Sequence, residues 1–314
     1  EQQKMKYQDL IIAHSAFNKY EKRAEAYDTF QRTKEKHLWN QPNVPMPEVN
    51  KLFKFIKRWD YHFRGEETLF QQAYSEVYEE INYLKEKTFY EIDILERNNH
   101  VCIQNIINKF ATINNAGRYE STDASKMAHA ILPDLFVMWD RRIREGTIGD
   151  ANSSYAETYV MSFLPFMKIE LNQLIDSCGM GTDDTSKVLG TLESICNGDT
   201  IAKLLDEYNY MSYTMPTEFN LHKENFRTYH SDANLDVCLL DALEFWNGYI
   251  VGKGSPEEIR DELLKMLNFL QNNKLISSDK RRDFWVMFRD GSRDDQIWVH
   301  RELKEIYEES ILLD

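Results

Sequence analysis

The sequence predicts an all-α protein. Leucine, isoleucine, methionine and aromatic residues recur every three or four positions along almost all of the 314 residues, which is the periodicity of amphipathic helices. Alternating β-branched residues, which are typical of strands, are scarce. An apolar content of 42% is ample for a buried core, so the chain is long enough for one large domain or two lobes.

The N-terminal segment, residues 1–47, is predicted to be a helical extension. Residues 4–37 have the pattern of a long charged amphipathic helix or of a helix pair. The segment 40–47 follows, and its three prolines, Pro42, Pro45 and Pro47, cannot continue a helix. We therefore expect a linker there, and a central helical core over residues 48–215.

Within this core the apolar spacing predicts successive helices. Their expected ranges are 48–63, 66–86, 88–97, 99–113, 153–177, 183–196 and 200–211. The turn Asn114-Asn115-Ala116-Gly117 leads to a helix that carries Lys126 and that Pro133 must end. A further helix is expected to begin at Asp140, because aspartate is a favoured N-cap residue.

Residues 216–314 are predicted to form an acidic C-terminal helical lobe. The run Ser255-Pro256-Glu257-Glu258 is a capping box with proline at the first helical position. The net charge of −14 is unevenly distributed: residues 1–150 carry 22 basic and 23 acidic side chains, and residues 151–314 carry 16 and 29. The acidity therefore lies in the second half, which leaves room for a basic surface in the first.

Composition excludes several classes of function. The longest apolar stretches, 135–139 and 162–167, are far too short to span a membrane, and the N-terminus has no signal-peptide pattern, so we expect a cytoplasmic protein. Glycine-rich nucleotide-binding loops are absent. The four cysteines, at 102, 178, 196 and 238, have no metal-binding spacing and are interpreted as reduced core residues. No metal or cofactor is expected.

Lys126 and Asp140 are the predicted catalytic pair. An amine can attack a sugar C1′ carbon, and a carboxylate can stabilise the oxocarbenium charge that develops there. Simpler roles remain open: Lys126 as an exposed helix lysine, and Asp140 as a helix cap only. His129, one turn after Lys126, and Trp139 either line a pocket or pack in the core.

The segment Ser125-Lys126-Met127-Ala128, followed by an apolar run and then Asp140-Arg141-Arg142-Ile143, resembles the catalytic segment of the helix-hairpin-helix DNA glycosylase superfamily. The likeness is greatest to its 8-oxoguanine glycosylase-like branch, and it extends to glycosylases that attack hypermodified bases in phage DNA. In that family a lysine two residues before an alanine opens the second hairpin helix. An aspartate follows, with valine or isoleucine three residues later. The glycine pair of the family's hairpin turn is reduced here to Gly117.

The resemblance implies a two-lobed helical core that flips a modified base out of duplex DNA and cleaves its N-glycosidic bond without a cofactor. Asp140 would stabilise the sugar cation, and Lys126 would either form a Schiff base or contact DNA. The expected DNA-binding residues are Gly117, Arg118, Ser125, Arg141, Arg142 and Arg144, and the expected base-pocket residues are His129 and Trp139. The alternative is a non-catalytic helical protein that binds DNA or serves as a protein-interaction adaptor.

Overall fold

The computed structural model describes residues 5, 7–177, 185–196, 198–229 and 276–292, together with isolated positions in 263–271 and 295–303. Every regular element in this part of the chain is a helix, and no strand occurs in it, which confirms the all-α prediction. The predicted capping box at Ser255, and Cys178 and Cys238, lie outside the described residues.

The helices follow one another through short connections. In chain order they are α1 (Tyr7–Tyr20), α2 (Ala24–Thr33), α3 (Met46–Trp59), α4 (Glu67–Glu76), α5 (Tyr78–Leu84), α6 (Arg97–Phe110), α7 (Ser121–Ile131), α8 (Arg141–Ile148), α9 (Ala156–Thr158), α10 (Leu164–Ser177), α11 (Thr185–Ile195), α12 (Ile201–Asn209), α13 (Pro216–Tyr229) and α14 (Ser278–Asp290). Short π-helical segments, Tyr159–Phe163 and Tyr210–Thr214, connect α9 to α10 and extend α12.

The chain divides into two compact units. The first contains Glu1–Ser177 and Asp199–Phe219, and the second contains Cys178–Gly198 and Asn220–Asp314. The N-terminal segment that the sequence suggests as an extension packs within the first unit: α1 contacts α12, and α2 contacts α3 and α7. Apolar side chains on both helices are buried there, among them Leu10, Phe17, Tyr27 and Phe30. Burial of this surface holds residues 7–33 in the unit.

Two predicted helices of the first unit differ from the structure. The helix expected over 66–86 is divided at Val77, whose φ and ψ of −111° and 17° are not helical. Residues 88–96 form turns instead of a helix, and α6 begins only at Arg97. The apolar spacing of Phe89, Ile92 and Ile94 suggests a helix, but these side chains are buried from successive turns. Periodicity alone cannot separate these two arrangements in a short segment.

Aromatic residues form much of the core of the first unit. Trp139 has 1% of its surface exposed, and its ring centroid lies 5.0 Å from that of Tyr159 and 5.4 Å from that of Phe163. Such pairs add about 0.5–1.5 kcal/mol beyond the burial of their area. This cluster fixes the chain immediately before Asp140.

The second unit has its own apolar cluster. Phe284 and Phe288 of α14 are buried in it, with Trp285 and Trp298 packed against it. Cys196 at the end of α11 is buried, as expected for a core residue, whereas Cys102 of the first unit is partly exposed. None of the described helices has the length and apolarity needed to cross a bilayer.

Candidate functional site

A helical hairpin carries Lys126. Helices α6 and α7 pack against each other and are joined by residues 111–120. Asn114 braces the turn: its side-chain amide donates to the Arg118 carbonyl at 2.7 Å, and its Oδ1 accepts from the Arg118 N–H at 3.0 Å. Gly117 follows with φ of +65°, a left-handed conformation that glycine adopts without steric cost. The connection is therefore a short, hydrogen-bonded hairpin turn.

Hydrogen bonds connect α7 to the start of α8. The Trp139 backbone N–H donates to Ser125 Oγ at 3.2 Å, and the Trp139 indole N–H donates to the Ser121 carbonyl at 3.3 Å. Ser125 and Trp139 are the chain neighbours of Lys126 and Asp140. The segment that carries Asp140 is therefore hydrogen-bonded to α7, the helix that carries Lys126.

Asp140 is the N-cap of α8, as its residue type predicts. One carboxylate oxygen accepts from the Ile143 N–H at 2.8 Å, and the other accepts from the Thr214 hydroxyl at 3.1 Å. The side chain is only partly buried. A carboxylate offers about four lone-pair positions, so two remain for another group. Asp140 is thus held in one orientation at the positive end of a helix dipole.

Lys126 lies between two carboxylates. Its Nζ is 3.2 Å from Asp123 Oδ1 and 3.6 Å from Asp60 Oδ2, and 13% of its side chain is exposed. Asp123 is on the same helix, whereas Asp60 caps the C-terminus of α3. The interpretation of Lys126 as an ordinary exposed lysine is therefore wrong, because it is a mostly buried lysine with two ion pairs.

The charges of both predicted catalytic groups also affect the pKa of another acidic residue, Asp206 of α12. Its carboxyl is buried, and burial is the main reason why its pKa rises to about 8. The nearby charges of Glu207 and Asp140 also raise this pKa, whereas those of Lys203 and Lys126 lower it. At neutral pH the Asp206 carboxyl is therefore mainly protonated.

The prediction that His129 and Trp139 line a base pocket is wrong. The His129 side chain is completely buried, with its ring nitrogens hydrogen-bonded to the Phe136 carbonyl and the Tyr27 hydroxyl. Trp139 is packed among aromatic rings of the core. Both residues pack the core, and neither has the exposed surface that contact with a flipped base requires.

Burial also shows that the prediction of DNA binding is wrong for two of the six residues, Ser125 and Arg144. Ser125 is fully buried, and its hydroxyl donates to the Thr122 carbonyl. Arg144 is 6% exposed, covers the Trp139 ring at 4.9 Å and donates to the Thr122 hydroxyl at 3.2 Å. These two side chains hold α7 against α8 and are not at the surface.

The other four predicted DNA-binding residues are exposed. Gly117 and Arg118 lie on the hairpin turn, and Arg141 and Arg142 open α8 directly after Asp140. The Arg142 guanidinium also donates to the Thr214 carbonyl at 2.9 Å, so it is tied to the same segment as the Asp140 carboxylate. Three guanidinium groups thus remain available to an anionic partner.

A basic groove of about 500 Å³ runs between α2 and α3. Its charged lining residues are Lys22, Glu25, Lys51, Lys54 and Arg58. Arg58 is two residues from Asp60, whose carboxylate pairs with Lys126. The groove therefore leads toward the C-terminal end of α3, where that ion pair is located. A second cavity, of about 340 Å³, lies at the other end of α7, beside Pro133.

A separate buried polar cluster joins α1 to α12. His14 Nδ1 lies 2.8 Å from Glu207 Oε2 and 3.6 Å from Asp199 Oδ2. Burial and the neighbouring Glu207 charge raise the pKa of Asp199 to about 6, and the Glu207 charge and hydrogen bond raise the pKa of His14 against the effect of burial. Within the described residues, these three form a group able to hold a metal ion.

The sequence gives little sign of several residues of this site. Asp60 contacts Lys126, Thr214 contacts Asp140, and Asp206 is influenced by both. In each of these pairs the two residues are at least 66 positions apart in the sequence. Each of the three residues occurs in an ordinary amphipathic or turn context. The pattern at Asp123 and Lys126, an acid three residues before a base on one helix, is the one local signal that indicates a paired lysine.

Comparison with models of known protein families, with curated protein sequences and with solved structures finds no match for this chain.

Proposed function

We propose that the protein is a DNA glycosylase that flips a modified base out of duplex DNA and cleaves its N-glycosidic bond. The observation that carries the proposal is the Asp140 carboxylate. It is fixed on the N-terminus of α8 by two hydrogen bonds, retains free lone pairs, and directly follows Trp139, which is hydrogen-bonded to the hairpin helix that carries Lys126. A fixed carboxylate is suited to stabilise a cationic sugar, because its position requires no reorganisation as charge develops.

The contacts of Lys126 favour water as the nucleophile. A Schiff base would require the amine to give up its ion pairs with Asp60 and Asp123 and to leave a mostly buried position. In the hydrolytic route a water oxygen bonds to C1′ while the bond from C1′ to the base nitrogen breaks. The bonding pair leaves with the base, which takes up a proton from solvent, and the proton released by water passes to Asp140. Lys126 then acts as a positioning residue that holds α7 against α3.

The charged surface near this site fits a polyanion. Arg118, Arg141 and Arg142 are exposed on the hairpin turn and at the start of α8. The basic groove between α2 and α3 supplies further cations that end close to the partner of Lys126. Contacts of this kind position DNA through its phosphates and make binding salt-dependent. We propose that phosphate contacts along this face position the modified nucleotide.

A pair of isosteric cap variants tests the proposal. Asp140→Asn keeps the shape of the cap and removes its charge, so we expect base release under single-turnover conditions to fall by about 100-fold or more. Glu96→Gln is the matched control, because Glu96 caps α6 through the N–H groups of Asn98 and Asn99 and lies outside the site. Its rate should equal that of the wild type. Equal rates for Asp140→Asn and the wild type would refute the assignment.

Borohydride trapping separates the two nucleophiles. With phage DNA that contains hypermodified bases as substrate, the hydrolytic route predicts abasic sites with no trapped covalent complex. A trapped complex that Lys126→Gln abolishes would instead identify the lysine as the nucleophile.

Burial of both expected base-pocket residues favours a second candidate, a non-catalytic protein that binds DNA with the same surface. This alternative predicts salt-dependent binding of duplex DNA by the wild type and by Asp140→Asn, with no base release by either.

A further inference from the structure

We infer that His14, Asp199 and Glu207 form a binding site for a divalent transition-metal cation in the first unit. The inference is independent of the proposed glycosylase activity. It rests on the convergence of one imidazole and two carboxylates from separate parts of the chain: α1, the residue before the cap of α12, and α12 itself.

The spacing of the ligand atoms fits a small cation. The three candidate atoms lie within 4.8 Å of one another, with His14 Nδ1 at 2.8 Å from the Glu207 oxygen and 3.6 Å from the Asp199 oxygen. Ligand atoms about 2.1 Å from a tetrahedral metal are separated by about 3.4 Å. The two observed separations from Nδ1 lie on either side of that value, so small side-chain rotations would complete the site.

The contacts of Glu207 leave one of its carboxylate oxygens available to a metal ion. Lys203 Nζ lies 2.7 Å from Oε1, whereas Oε2 is the oxygen directed to His14. Lys203 therefore orients the carboxylate and leaves its second oxygen for a metal. Lys203 is itself 3% exposed and lies 4.3 Å from the Phe17 ring centroid, which fixes its position. A buried partner that orients a ligand in this way is typical of metal sites.

The imidazole ring is also held by a second residue. Asn18 lies four residues after His14, and its amide is 3.1 Å from His14 Nε2. The amide can present either its oxygen or its NH₂ to the ring, so it can accept a hydrogen bond from Nε2–H when Nδ1 binds a metal. His14 thus has the ring orientation and the tautomer support that a histidine ligand requires.

The excess of carboxylates in the cluster favours the binding of another cation. Three carboxyl groups interact electrostatically here, those of Asp28, Asp199 and Glu207, because Asp206 is mainly protonated at neutral pH; the cations that act on them are Lys203 and, at Asp28, Arg32 when His14 is neutral. Buried carboxylates in such excess are costly unless a cation compensates them. One imidazole with two carboxylates is a donor set that suits Zn²⁺ or Mn²⁺. Asp199, with 29% of its side chain exposed, provides the route from solvent.

Metal titration of the full chain tests this site. The protein is first treated with EDTA and then titrated with Mn²⁺ while the signal of the free ion is followed by electron paramagnetic resonance, and Zn²⁺ is titrated by calorimetry. We expect binding of one equivalent, a rise in melting temperature on metal addition, and at least a tenfold loss of affinity in Asp199→Asn. Asp28→Asn is the matched control, because Asp28 belongs to the cluster but is not among the three ligands. It should retain the affinity.

Three results would overturn the inference: no binding of Zn²⁺ or Mn²⁺ to the wild type, equal affinity in Asp199→Asn and the wild type, or preferential binding of Ca²⁺ or Mg²⁺. Circular dichroism of Asp199→Asn establishes that the variant is folded. If it is not, His14→Gln replaces it in the same titration, with the same loss expected.

Discussion

Lowering the pH from 6 to 4 will destabilise the protein through His129. The ring of this residue is completely buried, and burial is the largest reason why its pKa falls to about 3; the charges of Lys203 and Lys34 lower it further. The hydrogen bond to the Phe136 carbonyl opposes this fall. His129 is therefore neutral in the folded protein throughout the range in which a solvated histidine becomes charged.

The sign and size of the effect follow from these two pKa values. The folded value of about 3 lies below the unfolded value of about 6.5, so the unfolded chain binds more protons between them. The contribution of His129 to stability is complete above pH 6.5 and is lost as the pH falls toward 3. Each pH unit in this window removes up to about 1.4 kcal/mol from the free energy of unfolding, which amounts to about 2.5 kcal/mol between pH 6 and pH 4.

Urea unfolding at a series of pH values measures this effect. His129→Gln has no titrating ring, so its free energy of unfolding should fall by about 2.5 kcal/mol less than that of the wild type between pH 6 and pH 4. His62→Gln, which changes an exposed histidine, should keep the pH dependence of the wild type. Parallel pH profiles for His129→Gln and the wild type would refute the reasoning.

Two further predictions concern local structure in the first unit. Thr200→Ala removes the α12 cap, whose hydroxyl accepts from the Lys203 N–H and donates to the Pro133 carbonyl, and should lower the free energy of unfolding by about 1–2 kcal/mol in urea. A change below 0.3 kcal/mol would contradict this role. Gly117→Ala should cost about 1 kcal/mol in thermal unfolding because of the positive φ, and Gly117→Asn should cost less. Equal stabilities of the three proteins would contradict this.

Local sequence patterns were sufficient to predict the all-α class and the residue at which α8 begins. The aspartate at 140, the apolar run before it and the helical periodicity after it act over a few residues, and the observed cap follows from them. The ion pair of Asp123 with Lys126, three residues apart, is equally local, although it was not among the sequence predictions. Interactions within one helical turn are encoded in the spacing itself.

Burial around α7 could not be predicted in this way. A surface helix has one apolar face, but α7 is buried on nearly all sides, including Asp123, Ser125 and His129. Its alanines allow neighbouring helices to approach closely from several directions. His129 therefore faces Tyr27 of α2, which is 102 positions away in the sequence. The cluster of His14 with Asp199 and Glu207 has the same origin, because only the packing of α1 on α12 brings it together.

Glycosylase activity is tested most directly by mass spectrometry of the bases that the protein releases from phage DNA containing hypermodified bases. We expect a free modified base and an equal number of abasic sites, with the DNA strands intact, and almost none of either with Asp140→Asn. Absence of any free base, or the same yield from Asp140→Asn as from the wild type, would contradict the proposed activity.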